Sequence, residues 1–376
     1  MARRSGGEGT VIETSNGRWA AVIELPRTGN GKRQRRWRRA RTKAEAQALL
    51  RKMQDELALT GAIADPQRTV GKAIAQYRQV RASTEGLSRG TLEHDKGPLN
   101  LIESGLGGRK LSSLSVDDCD RFLRQATDGK FGRPLGKRYV RRLRRTLINV
   151  LQNEMRIGTV TRNLAELTMT PNSSKPAKEM RALTVEELID LLELATDGRL
   201  IIIDLCGRNG LRPAEARAVR WQDVNLDAGE LTISGQLNRR SERTAPKTKK
   251  AGRTIQIDEQ TIGRLKLWKD TQNELRSTIR GAWVEHDLVA TTAVGSPVDR
   301  HSLARSLRLY CQKLGIEPAV SPYELRHTAI SMQADVGQAS WEIADWAGTS
   351  EAMISDVYRH RLRRVSNLLP VVSPQR

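Results

Sequence analysis

The sequence predicts a multidomain chain: an amino-terminal three-stranded sheet with one helix, an all-α helical bundle, and a carboxy-terminal mixed α+β domain that is mainly α. Three observations carry this. The chain has 376 residues, of which 38% are hydrophobic, enough for two or three domains that each bury a core. Turn chemistry with β-branched residues dominates the first 42 positions, whereas helical patterns fill 69 to 156. Two stretches, "ADPQRT" at 64–69 and "TMTPNSSKPAKEMRA" at 168–182, lack apolar periodicity and read as boundaries. The expected domains are therefore 1–65, 66–170 and 171–376.

In the first module, "TVIET", the turn "SNG" and "RWAAVIEL" form a hairpin, because apolar and β-branched residues flank an Asn-Gly pair. A third strand runs through "RQRRWRRART", and "KAEAQALLRKMQDELALTG" supplies a helix of strong formers closed by Gly61. Eight basic residues and no acid lie between Lys32 and Lys43. On a strand they point to both faces, where a charge-guarded edge is one reading and phosphate contact the other. The interleaved Trp37 favours nucleic acid, so Arg33, Arg35, Arg36, Trp37, Arg38, Arg39 and Arg41 are candidate contacts.

The second module shows helical patterns at about 69–83, 88–104, 115–127 and 135–156. In the last, Val140, Leu143, Leu147, Val150 and Leu151 form an apolar stripe, and Lys137, Arg138, Arg141, Arg142 and Arg145 gather on another face. A basic face is often only solvated, but six basic residues and no acid between 137 and 145 point to phosphates.

Charge supports the same partner. Lys and Arg number 64 against 43 acids, a formal charge of +21, more than solubility requires. No apolar run approaches the roughly 20 residues of a spanning helix, and no signal-peptide core is evident, so DNA rather than a membrane is expected, in the cytoplasm. Cys119, Cys206 and Cys311 are far apart and read as buried thiols. The five histidines include no pair at metal-ligand spacing, so neither metal nor cofactor is expected.

In the third module, Thr184 with Glu187 makes a capping box for a helix through Ala195. Strands are expected at 230–234 and 253–257, joined by a long basic loop. Four segments carry candidate chemistry. "GRNGLRPAEARAVRWQDVNL" (207–226) places Arg212 where Gly210 ends one helix and Pro213 opens the next, so that its guanidinium and free amides converge, although a plain helix corner would look alike. "PKTKKAGRTIQI" carries Lys247 near a hairpin tip, with Arg253 opening the return strand. "SPYELRHTAISMQADVG" (321–337) puts Arg326 and His327 on a helix. "DWAGTSEAM" and "SDVYRH" set Thr349 nine residues before Tyr358.

In this order and spacing the segments resemble the tyrosine recombinase family, phage integrases in particular. That family has an arginine in a GLR-x-x-E corner, a lysine on a β-hairpin, an H-x-L-R-H box, an LGH turn and a tyrosine nine residues beyond its His. Arg212 with Glu215, Lys247, Leu325-Arg326-His327 and Tyr358 match. Tyr323 stands where the family has the first His of its box, and Thr349 where it has the His of LGH. Both donate hydrogen bonds, but neither is a near-neutral base, which leaves His327 and His360 as the imidazoles nearest in sequence.

The resemblance implies a site-specific recombinase in which Arg212 and Arg326 clamp a DNA phosphate, Tyr358 attacks it to form a 3′-phosphotyrosine, and Lys247 protonates the leaving 5′-oxygen. It implies, further, arm-site binding by residues 1–65 and core sites held by 66–170 with the catalytic domain. A homotetramer on a Holliday junction, a host DNA-bending protein and an excision directionality factor complete the implied assembly. Two alternatives stand beside it: an Xer-like chromosome or plasmid resolvase, against which the arm-like module argues, and a catalytically silent DNA-binding regulator.

Overall fold

The computed structural model describes residues 9–25, 34–60, 63, 65–172, 180–245 and 252–362, without the side chains of 34, 59–60, 280 and 357–362. The chain divides into two compact units, 1–178 and 179–376.

The first unit opens with β1 (Thr10–Glu13), β2 (Trp19–Leu25) and β3 (Gln34–Ala40), an antiparallel sheet in that order. Gly17, at φ +68, takes the left-handed turn conformation that the Asn-Gly pair predicts. Register pairs Val22 with Trp37 and Ile23 with Arg36, so residues of opposite parity face opposite sides. One side carries Ala21 and Ile23, which pack with Met53 and Leu50 of α1 (Lys43–Thr60). The other displays Arg35, Trp37 and Arg39, all exposed.

Four helices follow: α2 (Val70–Ser83), α3 (Arg89–Leu106), α4 (Val116–Asp128) and α5 (Lys137–Arg156), within two residues of the expected bounds at every end. Their core is separate from that of the sheet and holds the stripe Val140, Leu143, Leu147, Val150 and Leu151 with Phe122 and Ile74. These two modules lie within one compact unit, and each has its own core.

The second unit begins with α6 (Val185–Leu194), started by the Thr184–Glu187 capping box, then α7 (Gly198–Gly207) and the short α8 (Pro213–Ala216). Next come β4 (Val224–Asn225), β5 (Glu230–Ile233), β6 (Gln236–Leu237), β7 (Arg243–Thr244) and β8 (Arg253–Gln256). Strands β4, β5 and β8 form one antiparallel sheet. The long basic loop expected between β5 and β8 is not wholly irregular, because β6 and β7 pair within it and Arg243 anchors on the Ala218 carbonyl at 3.1 Å. Helices α9 (Glu259–Ile279), α10 (Arg300–Lys313), α11 (Pro322–Asp335), α12 (Ser340–Ala347) and α13 (Glu351–Leu362) complete the unit. Its core joins α6, α7, α9, α10 and α11 through Leu191, Ile202, Leu205, Leu265, Leu307 and Leu325. A smaller core of Ile330, Ile343, Ala347 and Ile354 binds α13 onto α11 and α12. Cys119, Cys206 and Cys311 are free and buried, as expected, and burial pushes the Cys119 thiol up to about 12.

Asp204 lies inside this unit, 1% exposed, on the helix that leads into the Arg212 corner. Burial pushes its carboxyl up to about 6, against the pull of Arg264 and Arg208, each 3.4 Å away. A folded-state value above the unfolded one of about 4 means the native state holds the extra proton between them, so this group costs stability as pH rises from about 4 to 6. Asp204→Asn is expected to lose less stability than the native chain across that window, by on the order of 2–3 kcal/mol at most, in urea titrations at pH 4.5 and 6.5. Equal losses in the two proteins would refute the assignment.

Candidate active site and nucleic-acid faces

The Arg212 corner is built on a glycine that nothing else could replace. Gly210 has φ +65, and a Cβ there would lie 2.6 Å from the Trp346 ring. Its carbonyl accepts a hydrogen bond from Arg326 Nη1 at 2.6 Å. Arg212 follows at the N-cap of α8; its Nη1 donates to Glu215 Oε1 at 2.6 Å, its own N–H donates to Glu215 Oε2 at 3.0 Å, and its Nη2 donates to the Gly348 carbonyl. The expected convergence of free amides is not found. Helix α8 has only four residues, and the Arg212 N–H is taken by Glu215, so an anion here meets guanidiniums rather than a helix start.

Arg326, on α11, is 8% exposed. Burial pushes its guanidinium down to about 10, and the charge of Arg212 pushes the same way. The sequence reading gave Arg253 no role in the site, yet it belongs to this cluster. Its side chain is 9% exposed, its Nε donates to the Trp346 carbonyl at 2.6 Å, and its Nη2 stands 3.5 Å from Glu215 Oε2. Burial lowers its guanidinium too, although Glu215 opposes the shift. Arg212 and Arg253 therefore both contact one buried carboxylate, and Arg326 is bonded to the adjacent Gly210 carbonyl, so that three guanidiniums gather around Glu215. The available signal was the strand pattern: an arginine opening a return strand points inward when the next residue, here Thr254, is exposed.

The remaining expected residues fall as follows. Tyr323 lies in the first turn of α11 and is 62% exposed. Thr349 is half-buried between α12 and α13, its N–H donating to Ala344 at 2.9 Å and its hydroxyl 3.5 Å from Met353 Sδ. Tyr358 lies on α13, which packs on α11 and α12 of the same chain; its ring, with Arg359 and His360, lies outside the described side chains. Lys247 lies outside the described residues, as does Arg33.

Of the basic strand, Arg35, Trp37, Arg39 and Arg41 are exposed, whereas Arg38 pairs with Glu56 of α1 at 2.6 Å and Arg36 also turns toward the helix-covered side. On α5, Lys137, Arg138, Arg141 and Arg145 are exposed, while Arg142 is held by His94, through Nε2 at 2.7 Å and the backbone carbonyl. A third basic face was missed. Helix α10, RHSLARSLRLYCQK, contains no acid, and Arg300, Arg305 and Arg308 are exposed with no carboxylate partner among the described residues. Its acid-free composition was the legible signal.

No group of three or more His, Cys, Asp or Glu residues that could hold a metal occurs among the described residues, and no helix there is long and apolar enough to cross a membrane.

Comparison with known proteins shows a tyrosine recombinase, an enzyme that breaks and rejoins DNA. Residues 178–363 match the profile of the "Phage integrase family". The integrase of Streptomyces ambofaciens is 27% identical over 379 residues, 96% of this chain and 95% of that one. Tyrosine recombinase XerC of Pelobacter propionicus is 24% identical over 76% of this chain and 90% of its own length. The fold is similar to that of the Tn1549 transposon integrase in complex with transposon right end DNA (TM-score 0.65, 16% identity, 79% of this chain and 99% of that one). It is also similar to a lambda integrase tetramer bound to a Holliday junction (TM-score 0.58, 15% identity, 94% and 96%). The chain belongs to the phage integrase family, as a site-specific recombinase of the integrase type.

The buried carboxylate yields a stability prediction independent of catalysis. Glu215→Ala leaves guanidiniums buried without their counter-ion and should destabilise the second unit by about 3–5 kcal/mol. Denaturant unfolding checks this, and a loss below about 1 kcal/mol would show that the cluster does not depend on Glu215.

Proposed function

We propose that Arg212 and Arg326 hold the scissile phosphate, that Tyr358 attacks it, and that Lys247 protonates the departing 5′-oxygen. The observation that carries this reading is the gathering of the Arg212, Arg326 and Arg253 guanidiniums, in a chain where α13, the helix whose sequence includes Tyr358, packs on α11, the helix of Arg326. Attack on phosphorus builds charge on the non-bridging oxygens, and fixed guanidiniums in a partly dry site stabilise that charge without reorganising. The ester stays on the enzyme as a 3′-phosphotyrosine, so a 5′-hydroxyl reseals it without ATP.

Tyr358→Phe is expected to give no covalent adduct on a nicked core-site duplex. Arg212→Gln and Arg326→Gln each remove one donor, about 3–4 kcal/mol of transition-state stabilisation, and should slow cleavage on the order of a hundredfold or more. Cleavage should persist in excess chelator. Tight binding with no adduct from the native chain would instead favour the silent regulator.

The DNA reading extends to three faces: the open sheet face with Arg35, Trp37, Arg39 and Arg41, the outer face of α5 with Lys137, Arg138, Arg141 and Arg145, and α10. Their support is exposure, with no acid between the basic residues of α5 and α10, whereas on the sheet face Glu24 stands 3.9 Å from Arg35. Arm-site binding by 1–65, core-site binding by 66–170 with the catalytic domain, a homotetramer on the junction, and a cytoplasmic setting follow from the family. A host bending protein and a directionality factor are proposed on the same ground. Removing residues 1–65 should abolish binding to distant sites and flatten the salt dependence of affinity, while core-site cleavage remains measurable. Unchanged binding to every site, measured by footprinting at two salt concentrations, would refute the arm assignment.

A further inference from the structure

Arg253 is a buried cation with too little exposure to serve as a surface DNA contact, and the proposed chemistry does not use it. Its side chain is 9% exposed, against 30% for Arg212, which leaves the latter open to a ligand. Burying a guanidinium is costly unless its donors are matched. Here they are matched by two structural acceptors: the Trp346 carbonyl in the last turn of α12, at 2.6 Å from Nε, and the Glu215 carboxylate, at 3.5 Å from Nη2.

The turn above it is shaped to receive this side chain. Gly348 caps α12 at φ +65, and a Cβ there would lie 2.5 Å from Arg253 Nη1 and 2.9 Å from its Cζ. The carbonyl of the same glycine accepts from Arg212 Nη2. Two arginines from different elements, β8 and the α8 corner, thus grip one turn, and three residues after Gly348 helix α13 begins and runs to Tyr358. Thr349, in the position that the family fills with histidine, is part of that turn.

We infer that Arg253 is a positioning residue: by holding Trp346 and Glu215 together, it fixes the Gly348–Thr349 turn, and so the start of the tyrosine helix, relative to the Arg212 clamp. This rests on the proposed roles of Tyr358 and Arg212. A planar guanidinium suits the task because it offers donors along two directions at once, whereas a lysine ammonium on a flexible stem reaches one acceptor well. The consequence is a separation of effects. Loss of Arg253 leaves the surface that binds DNA intact and misplaces the attacking group, and small displacements of reacting groups reduce rate steeply.

The test uses the full chain and a nicked duplex carrying its core site, mapped beforehand by footprinting. Binding, thermal unfolding and single-turnover adduct formation at saturating DNA are measured for Arg253→Gln, Arg253→Lys and Tyr358→Phe. Arg253→Gln should slow adduct formation at saturation at least tenfold while Kd changes less than threefold, and Arg253→Lys should recover part of the rate. An unchanged rate for Arg253→Gln overturns the proposal, as does a rate loss that disappears at higher DNA concentration, which would make Arg253 a DNA contact. If Arg253→Gln does not fold, Gly348→Ala decides: it disturbs the same contact from the other side and must slow saturated cleavage without weakening binding, and a native rate there overturns the proposal. Adduct formation by Tyr358→Phe would instead sink the underlying assignment of the nucleophile, a result distinct from failure of the Arg253 inference alone.

Discussion

The second unit is organised around one buried carboxylate. Glu215 is 4% exposed and accepts from the Arg212 N–H and guanidinium, with Arg253 at 3.5 Å. Without it, Arg212, Arg253 and Arg326 would repel across a poorly solvated space, and the Gly210 and Gly348 carbonyls alone could not hold them. With it, the guanidiniums are held together, and Glu215 is the carboxylate that Arg212 and Arg253 share. An anion is the natural completion, and a DNA phosphate brings part of that charge before the reaction and more of it at the transition state. On the proposed roles, the fold stores the electrostatic work of catalysis in advance, in guanidiniums whose positions are set by backbone carbonyls from the α7–α8 corner and the α12–α13 turn.

The same reasoning separates the arginines that hold the fold from those left exposed. Arg68 is locked to the buried Glu154, Arg38 to Glu56, and Arg144 to the carbonyls of Glu166 and Thr168. These are matched and contribute little to the outward field. The exposed arginines of β3, α5 and α10 lie in stretches without acids, so the formal charge of +21 is concentrated where elements present a long face. Such faces raise association rates and make affinity strongly dependent on salt. They carry no sequence information by themselves, because phosphate contacts position a protein on DNA and base contacts specify it. Trp37, 48% exposed at the centre of an open sheet face, is the described side chain on β3 best suited to reach beyond the backbone.

Much of this was legible in the sequence, for identifiable reasons. The helices of the first unit were bounded closely because their stripes are strongly periodic and their caps are chemically plain, as at Ser115 before α4, and the same holds in the second unit at Thr184 before α6. The Arg212, Arg326 and Tyr358 segments were legible through order and spacing, which a family resemblance reads directly. What escaped was anything fixed by long-range closure. The β6–β7 pair is only two residues on each side and depends on Arg243 reaching Ala218 and Ser234, which no local pattern announces. Arg253 looked like one more charge on a basic hairpin, because its partners lie 38 positions back and 93 positions forward. On α5, the basic face also proved divided: Arg142 turns to His94 across 48 positions, whereas Arg138, Arg141 and Arg145 stay outward.

The two departures from the family pattern take on a physical meaning beside this charge. A phenol near pH 7 is almost fully protonated, so an enzyme must either provide a base or lower the cost of the phenolate. Tyr323 is mostly exposed, and Thr349 is a hydroxyl beside a methionine sulfur, so neither acts as an imidazole would. The arginine cluster works on the other side of the balance. Uncompensated cations stabilise any oxyanion brought to them, the phenolate as well as the phosphorane-like transition state. On the proposed roles, a site with three guanidiniums and one carboxylate shifts the burden from proton acceptance to electrostatics, and hydroxyls at 323 and 349 are then sufficient to orient the phosphate or to pass the proton to water. On those roles, the placement of charge matters more to this chain than the identity of a base.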